Sequence, residues 1–272
     1  MTRLPAAQRA VILGSGLSLG ADRFEVRGLV PYVELEWPVT GVPGHPSVVT
    51  VAALVPPARQ AGGTAAVAGE GSALVLVAGG RPHRYEGWSD DDLERPARDL
   101  IAAGVERLLL VCACGALRDD LRRGDLCVVG EVVDLQRAPQ SGGERLPLCS
   151  EGIAASVADR AARAAAVTGL PAAGGPALVR AVAAYAAVAG PQYETPAEAG
   201  WLAGLADVVG MSAAPEVRAA HSAGARVRLL AVVTNASGAS LGHSDVLDAG
   251  ARLGPLLTAV VSSLLEDEEL WQ

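Results

Sequence analysis

Strand-length apolar runs alternate with helix-patterned segments along almost the whole chain, and that alternation restricts the fold more than any other feature. Apolar runs fall near residues 9–13, 47–55, 72–78, 107–112, 126–134, 181–188, 207–210 and 227–234. Helices are expected near 89–103, 151–168, 196–204, 214–223 and 244–266, the last with Ser244 as N-cap and Asp245 in its first turn. Such alternation implies an α/β fold, a central, mostly parallel or mixed twisted sheet surrounded by helices. No linker or low-complexity segment divides the 272 residues, so 1–272 is expected to form a single domain. The Pro/Gly-rich stretches at 56–71 and 138–147 are short enough to be loops.

Half of the residues are hydrophobic but only 3% are aromatic, so the core must be built mainly from Ala, Val and Leu. The few aromatics therefore stand out, and Tyr85 and Tyr193 both fall inside polar motifs. A net charge of −8 without a basic run argues against a nucleic-acid surface. The chain has no lysine, which excludes Schiff-base chemistry and a Walker-type phosphate loop and leaves arginine as its permanent side-chain cation. The opening MTRLPAAQRAVIL lacks the long apolar core of a signal peptide, and no apolar run is long enough to span a bilayer. A cytoplasmic location follows as the expectation. Cys112, Cys114, Cys127 and Cys149 fit reduced, structural thiols, since Cys112-x-Cys114 offers two ligands where a zinc site needs four.

The polar candidates gather at strand ends and in the loops that follow, where ligands bind in such folds. Gly14-Ser15-Gly16 is a turn that lets backbone N–H groups and a hydroxyl approach an anion. Pro43-Gly44-His45 is a second turn, carrying an imidazole. In the run Gly79 to Gly87, Arg81 and His83 stand two apart and point the same way if the backbone is extended. Arg, His and Ser together suit a phosphate dianion, with the arginine fork supplying charge-assisted bonds. Further on, Gly190-Pro191 marks a turn just before Tyr193 and a buried-looking Glu194. The strand at 207–210 opens into Met211-Ser212, and the next strand ends in Thr234-Asn235. An aromatic face, a carboxylate for ring N–H donors and an amide that donates and accepts suit a planar, neutral ligand.

Each of these residues has a plainer competitor. Gly14-Ser15-Gly16 could serve tight packing alone, and Glu194 could satisfy free N–H groups at the start of the 196–204 helix. Asn235 could be a turn residue, His243 a helix cap, Arg81 a surface ion pair and Met211 a core residue. His221 reads as structural, and the acidic run Glu266 to Glu269 as a solvated helix end.

GSGL, PGH, GRPHRYEG, GPQYET, VGMSAAPE, VTN and LGHSDVLDAG occur here in the order found in the trimeric purine nucleoside phosphorylases. The chain resembles that family over nearly its whole length. The resemblance implies phosphate-dependent cleavage of the N-glycosidic bond of purine nucleosides, with inorganic phosphate as co-substrate and no metal or organic cofactor. It implies a phosphate site of Ser15, His45, Arg81, His83, Ser212 and the backbone of Ala113. It puts Tyr193, Glu194 and Asn235 on the purine, and Tyr85, Met211 and His243 on the ribose. Asn235, Glu194 and His83 would be the catalytic set. A homotrimer serving purine salvage is implied too.

Asn235 stands where the related methylthioadenosine phosphorylases carry aspartate, which points to inosine, guanosine and their deoxy forms. The chain departs from the family pattern at Cys112-Ala113-Cys114-Gly115-Ala116, at Glu131-Val132-Val133-Asp134 and after PGH. Leu146 falls where some relatives lend an aromatic to a neighbouring subunit. Two other readings stay open: a phosphorylase for another nucleoside such as methylthioadenosine or methylthioinosine, and a catalytically quiet purine- or phosphate-binding relative. The retention of Arg81, His83, Ser212, Glu194 and Asn235 favours an enzyme.

Overall fold

The computed structural model describes residues 3–55, 73–137, 143–149, 151–168, 171–172, 175–176, 179–238 and 243–271. The strands are β1 (Arg9–Leu13), β2 (Phe24–Pro31), β3 (Val48–Leu54), β4 (Leu74–Gly79), β5 (Arg107–Ala116), β6 (Leu126–Asp134), β7 (Glu144–Pro147), β8 (Pro171–Ala172), β9 (Gly175–Pro176), β10 (Val179–Ala187), β11 (Val208–Gly210) and β12 (Arg226–Ala236). The helices are α1 (Asp90–Ala102), α2 (Glu151–Thr168), α3 (Pro196–Leu202), α4 (Ala214–Ser222) and α5 (His243–Glu266). Among the described residues, no helix is long and apolar enough to cross a membrane.

One sheet runs in the order β11-β10-β6-β12-β5-β1-β4-β3-β2, with β7 added beside β6. β1 lies between β4 and β5 and is parallel to both, so its residues are covered on two faces and flanked on two edges. Its apolar run therefore needs no polar alternation. Successive side chains go to opposite layers. Ala10 and Ile12 join Leu108, Leu110 and Cys112 on one face, against Ala97 and Leu100 of α1 and Val217 and Ala220 of α4. Val11 and Leu13 join Leu109 and Val111 on the other, against Val157 and Ala161 of α2 and Leu257 and Val260 of α5. Each such Val, Leu or Ile contributes roughly 1.5–3 kcal/mol on burial.

Towards the other side the sheet closes on itself. β5 pairs with β12, β12 with β6, β6 with β10, β10 with β11, and β11 returns antiparallel to the end of β5. This ring explains one departure from expectation. The run after residue 112 continues as strand to Ala116, because Cys112 to Ala116 find partners on β12 and Gly115 and Ala116 also find them on β11.

Other differences have equally local causes. β2 was not foreseen; it is an edge strand with mixed polarity, exposing Val26 and Leu29. Part of the stretch expected as a loop at 138–147 is β7, paired with Glu131 to Asp134. Leu146 lies in that strand and is buried in the core, so it is not offered to a neighbour. Ser244 is inside the first turn of α5, which begins one residue earlier.

The acidic terminus is anchored, not merely solvated. Glu266 pairs with Arg23 at 2.6 Å and Glu268 with Arg107 at 3.1 Å. Trp271 is 1% exposed and donates its indole N–H to Leu264 O at 2.8 Å. The four cysteines are free thiols, with Cys149 half-buried and the other three buried.

Candidate active site

The ends of β1, β4, β5, β11 and β12 converge on one cleft of about 640 Å³, its open mouth included. Ser15, Arg81, His83, Ala113 and Ser212 line one part of it. Tyr85, Met211, Tyr193, Glu194 and Asn235 line it as well. Ser15 and Asn235, 220 positions apart in sequence, thus meet in a single space. His45 is not among the lining residues and stands behind Ser15, with its Nε2 2.7 Å from Ser15 Oγ. His243 begins α5, but its side chain lies outside the described residues.

Arg81 is buried to 2% exposure beneath the strand ends. Its Nη2 donates to Ile12 O at 2.9 Å and Val111 O at 3.2 Å, and its Nη1 to Ser212 Oγ at 3.1 Å. Nε stands 3.2 Å from Glu216 Oε1, an ion pair with both side chains buried. A surface ion pair is therefore ruled out for Arg81. The fork expected to grip an anion at two points is largely spent on the protein, and one Nη1 hydrogen remains for a ligand. Glu216 was missed as a partner because nothing local in VGMSAAPE connects it to residue 81.

His83 starts the short 3₁₀ turn Arg84–Glu86. Its Nδ1 is 3.3 Å from Glu86 Oε1, and its ring stacks on Tyr85 at 4.9 Å with an interplanar angle of 14°. Burial alone would push the Glu86 carboxyl up. Hydrogen bonds from the His83 and Thr40 side chains and from the His83 and Gly41 backbone outweigh it and hold the group at about 2. Burial, with Glu86 and Tyr193 nearby, pushes the Tyr85 hydroxyl up to about 12, so Tyr85 stays a neutral donor. Behind this turn, Arg84 pairs with Asp90. Arg218 of α4 joins Asp90, Glu94 and the fully buried side chain of Asp134. The changed run ending in Asp134 thus contributes to an ionic brace behind the cleft.

Ser212 is followed by a strained residue. Ala213 has φ 72 and ψ −38, and Ala214 N donates to Ser212 O at 3.0 Å. That is a γ-turn, a conformation that costs an L-residue about 1–3 kcal/mol and concentrates at functional sites. It turns the chain sharply from β11 into α4 and leaves Ser212 Oγ between Arg81 Nη1 and the Tyr185 hydroxyl, 3.3 Å away.

Asn235 owes its position to an irregularity. The β12–β5 register shifts between Val233 and Asn235, so Thr234 is an extra residue, and such bulges re-aim the next side chain. Asn235 is therefore not a turn residue. Its Oδ1 lies 2.8 Å from Thr234 Oγ1, and its Nδ2 donates to Ala236 O at 3.1 Å. One amide hydrogen and one oxygen lone pair remain for a ligand.

Glu194 is half-buried, less enclosed than its sequence context suggests. It does not cap α3: Thr195 does, in a capping box with Glu198. Instead Glu194 Oε2 accepts from Ser237 Oγ at 3.0 Å, which ties the carboxylate to the segment bearing Asn235. Ser237 was invisible in the sequence, where it sits in a polar turn. The loop before Tyr193 approaches closely at Gly190, where a Cβ would come within 2.8 Å of the Tyr85 ring and collide with the Met211 sulfur. Among the described residues, no group of three His, Cys, Asp or Glu side chains is arranged to hold a metal ion.

The family profile described as "Phosphorylase superfamily" matches residues 33–266. Purine nucleoside phosphorylase 1 of Bacillus subtilis (strain 168) is 30% identical over 272 residues, covering 95% of this chain and 92% of that protein. Purine nucleoside phosphorylase of Mycobacterium tuberculosis (strain ATCC 25618 / H37Rv) is 37% identical over 202 residues, covering 71% of this chain and 70% of that protein. The crystal structure of Schistosoma mansoni purine nucleoside phosphorylase in complex with inosine superposes with a TM-score of 0.69 at 27% identity, covering 96% of this chain and 90% of that one. A purine nucleoside phosphorylase structure in complex with ribose-1-phosphate gives 0.65 at 26% identity, covering 96% and 92%.

Proposed function

The chain belongs to the phosphorylase superfamily and within it to the purine nucleoside phosphorylases, and from that premise we infer how its cleft works. It catalyses phosphorolysis of purine nucleosides. An oxygen of inorganic phosphate bonds to C1′ of the sugar, the C1′–N9 bond breaks, and its electron pair leaves with the base. The products are the free purine and ribose 1-phosphate, or the deoxy sugar phosphate. The observation that carries this reading is the meeting in one cleft of Ser15, Arg81, His83 and Ser212 with Tyr193, Glu194 and Asn235.

The roles follow from what each group has left to give. Ser15, Ser212, His83 and the remaining Arg81 hydrogen hold phosphate, with the Ala113 backbone beside them. Tyr85 and Met211 face the sugar, and His243 is assigned to its 5′ end by resemblance. Tyr193 packs on the purine. The Glu194 carboxylate, with one oxygen engaged by Ser237, takes the N1–H of a 6-oxopurine. As the glycosidic bond breaks, negative charge moves onto the base. The base takes up, at N7 and through solvent, the proton that the attacking phosphate loses on becoming an ester, and the free hydrogen and lone pair of the Asn235 amide then meet O6 and that N7–H. An interaction that strengthens as charge develops lowers the barrier, and a fixed dipole does so without reorganising. Holding phosphate and nucleoside together supplies much of the remainder. No metal or organic cofactor enters this scheme.

The base reading sets the preference. Adenine lacks N1–H and presents an amino group at C6, leaving Glu194 and the Asn235 amide mismatched, at a cost of about 1–3 kcal/mol per unpaired group. Release of hypoxanthine from inosine, assayed with and without phosphate, is expected only with phosphate and faster than release of adenine from adenosine. Phosphate-independent release, or faster adenosine turnover, would sink the assignment. By resemblance to the trimeric family, we read the working unit as a cytoplasmic homotrimer in purine salvage; sedimentation equilibrium tests the trimer.

A further inference from the structure

Ser15 lines the cleft, and its hydroxyl has one proton and two lone pairs. An anion needs the proton, because lone pairs aimed at it repel it. Which of the two is available depends on what the hydroxyl meets on its other side. There the His45 ring places Nε2 2.7 Å from Ser15 Oγ. If Nε2 carries the ring proton, histidine donates and the serine proton is left for the cleft. In the opposite tautomer serine spends its proton on the ring.

The tautomer is decided at the other ring nitrogen. The Arg81 backbone N–H donates to His45 Nδ1 over 3.0 Å. A peptide nitrogen only donates, so Nδ1 is unprotonated and the neutral ring carries its proton on Nε2. The peptide supplying that donor is itself held. Across a planar trans peptide the C=O and N–H point in opposite directions, and Gly80 O accepts from the Tyr32 hydroxyl at 2.8 Å. Tyr32 is 1% exposed, and burial raises its hydroxyl pKa well above the usual value, which keeps it a donor. Gly80 has φ +100, and a Cβ there would lie 2.6 Å from His45 Nδ1, so the close approach of peptide to ring requires glycine. A hydrogen bond from Gly16 N to Gly44 O, at 3.1 Å, ties the serine turn to the histidine turn.

We propose that Tyr32, the Gly80–Arg81 peptide and His45 form a relay that presents Ser15 to phosphate as a hydrogen-bond donor, with His45 and Tyr32 as positioning residues rather than ligands. The proposal rests on the phosphate reading of this cleft. It is tested by calorimetric titration of inorganic phosphate into the wild type, Ser15→Ala, His45→Ala and the double variant. Each single change is expected to weaken binding about tenfold, and the double variant to be no weaker than Ser15→Ala alone. His45→Gln, whose amide still donates to Ser15, is expected to recover most of the loss. Tyr32→Phe keeps the buried ring and is expected to cost a few-fold, only while Ser15 is present; it carries the same test if His45→Ala misfolds.

A double variant weaker by the product of the two single effects would overturn the relay, because His45 would then touch phosphate itself. Nitrogen-15 spectra showing the neutral His45 ring protonated at Nδ1 would overturn it as well. Phosphate binding in the expected pattern without cleavage of inosine would discard the activity and leave the relay standing. A wild type that binds no phosphate would discard both.

Discussion

At the proposed phosphate end of the cleft each polar side chain has a second residue behind it, whereas the proposed base end is held more loosely. Ser15 is backed by His45, Arg81 by Glu216, His83 by Glu86 and Ser212 by Tyr185. Arg81, His83 and Ser212 are all buried. Tyr193 and Glu194 are half-buried on the loop between β10 and α3, with the Ser237 hydroxyl holding the carboxylate. Asn235 is the exception at that end, buried and fixed by the bulge. The difference follows the charge each group must meet. A phosphate dianion gives up a large solvation energy on entry, so dipoles already in place must replace water. A neutral purine gives up little. In the proposed mechanism only the atoms where charge develops need rigid support, and Asn235 is assigned to those.

The comparison can be broken most severely at Arg81. Arg81→Leu strands Glu216 in the interior, a change expected to cost about 3–5 kcal/mol in urea unfolding and to remove phosphate-dependent turnover. A variant as stable as the wild type would mean the anion end is not prestressed by this pair. Asn235→Ala is expected to lower kcat by about 100- to 1,000-fold with phosphate affinity unchanged, measured by steady-state phosphorolysis and calorimetry. Loss of phosphate affinity there would erase the division between the two ends. Glu194→Gln should lower kcat/KM for inosine by about 10- to 100-fold without moving the thermal midpoint, since the group is half in water.

The smallest effect concerns acid stability. Glu86 has its folded-state pKa depressed from 4.5 to about 2. Its contribution is therefore present above about pH 4.5 and fades as pH falls towards 2. The stability difference between wild type and Glu86→Gln should be constant near neutrality and shrink across that window. A difference that grows on acidification would reverse the sign and the account.

Much of the molecule was legible beforehand because it depends on neighbours in the chain. The unbroken apolar run Ala10 to Leu13 announced a strand, which the sheet buries on both faces, and α1 and α3 lie where their patterning put them. The motif turns at 14–16, 79–87 and 190–194 carry side chains into one cleft. What escaped notice belongs to pairs distant in sequence. Glu216 lies far from Arg81, Ser237 far from Glu194, and β5 runs on to Ala116 only because β12 and β11 lie alongside.

The sequence by itself determined most of the segments that become strands and helices, β2, β7 and the end of β5 excepted, and which polar residues stand at strand ends. Those properties follow from periodicity and turn chemistry, which act over a few residues. Only the tertiary structure decided the closure of the sheet into a ring, the bulge at Thr234 that aims Asn235, the γ-turn at Ala213 and the tautomer of His45. Each of these depends on a hydrogen-bond partner or steric neighbour supplied by a distant part of the chain, and such a partner exists only once the sheet has assembled.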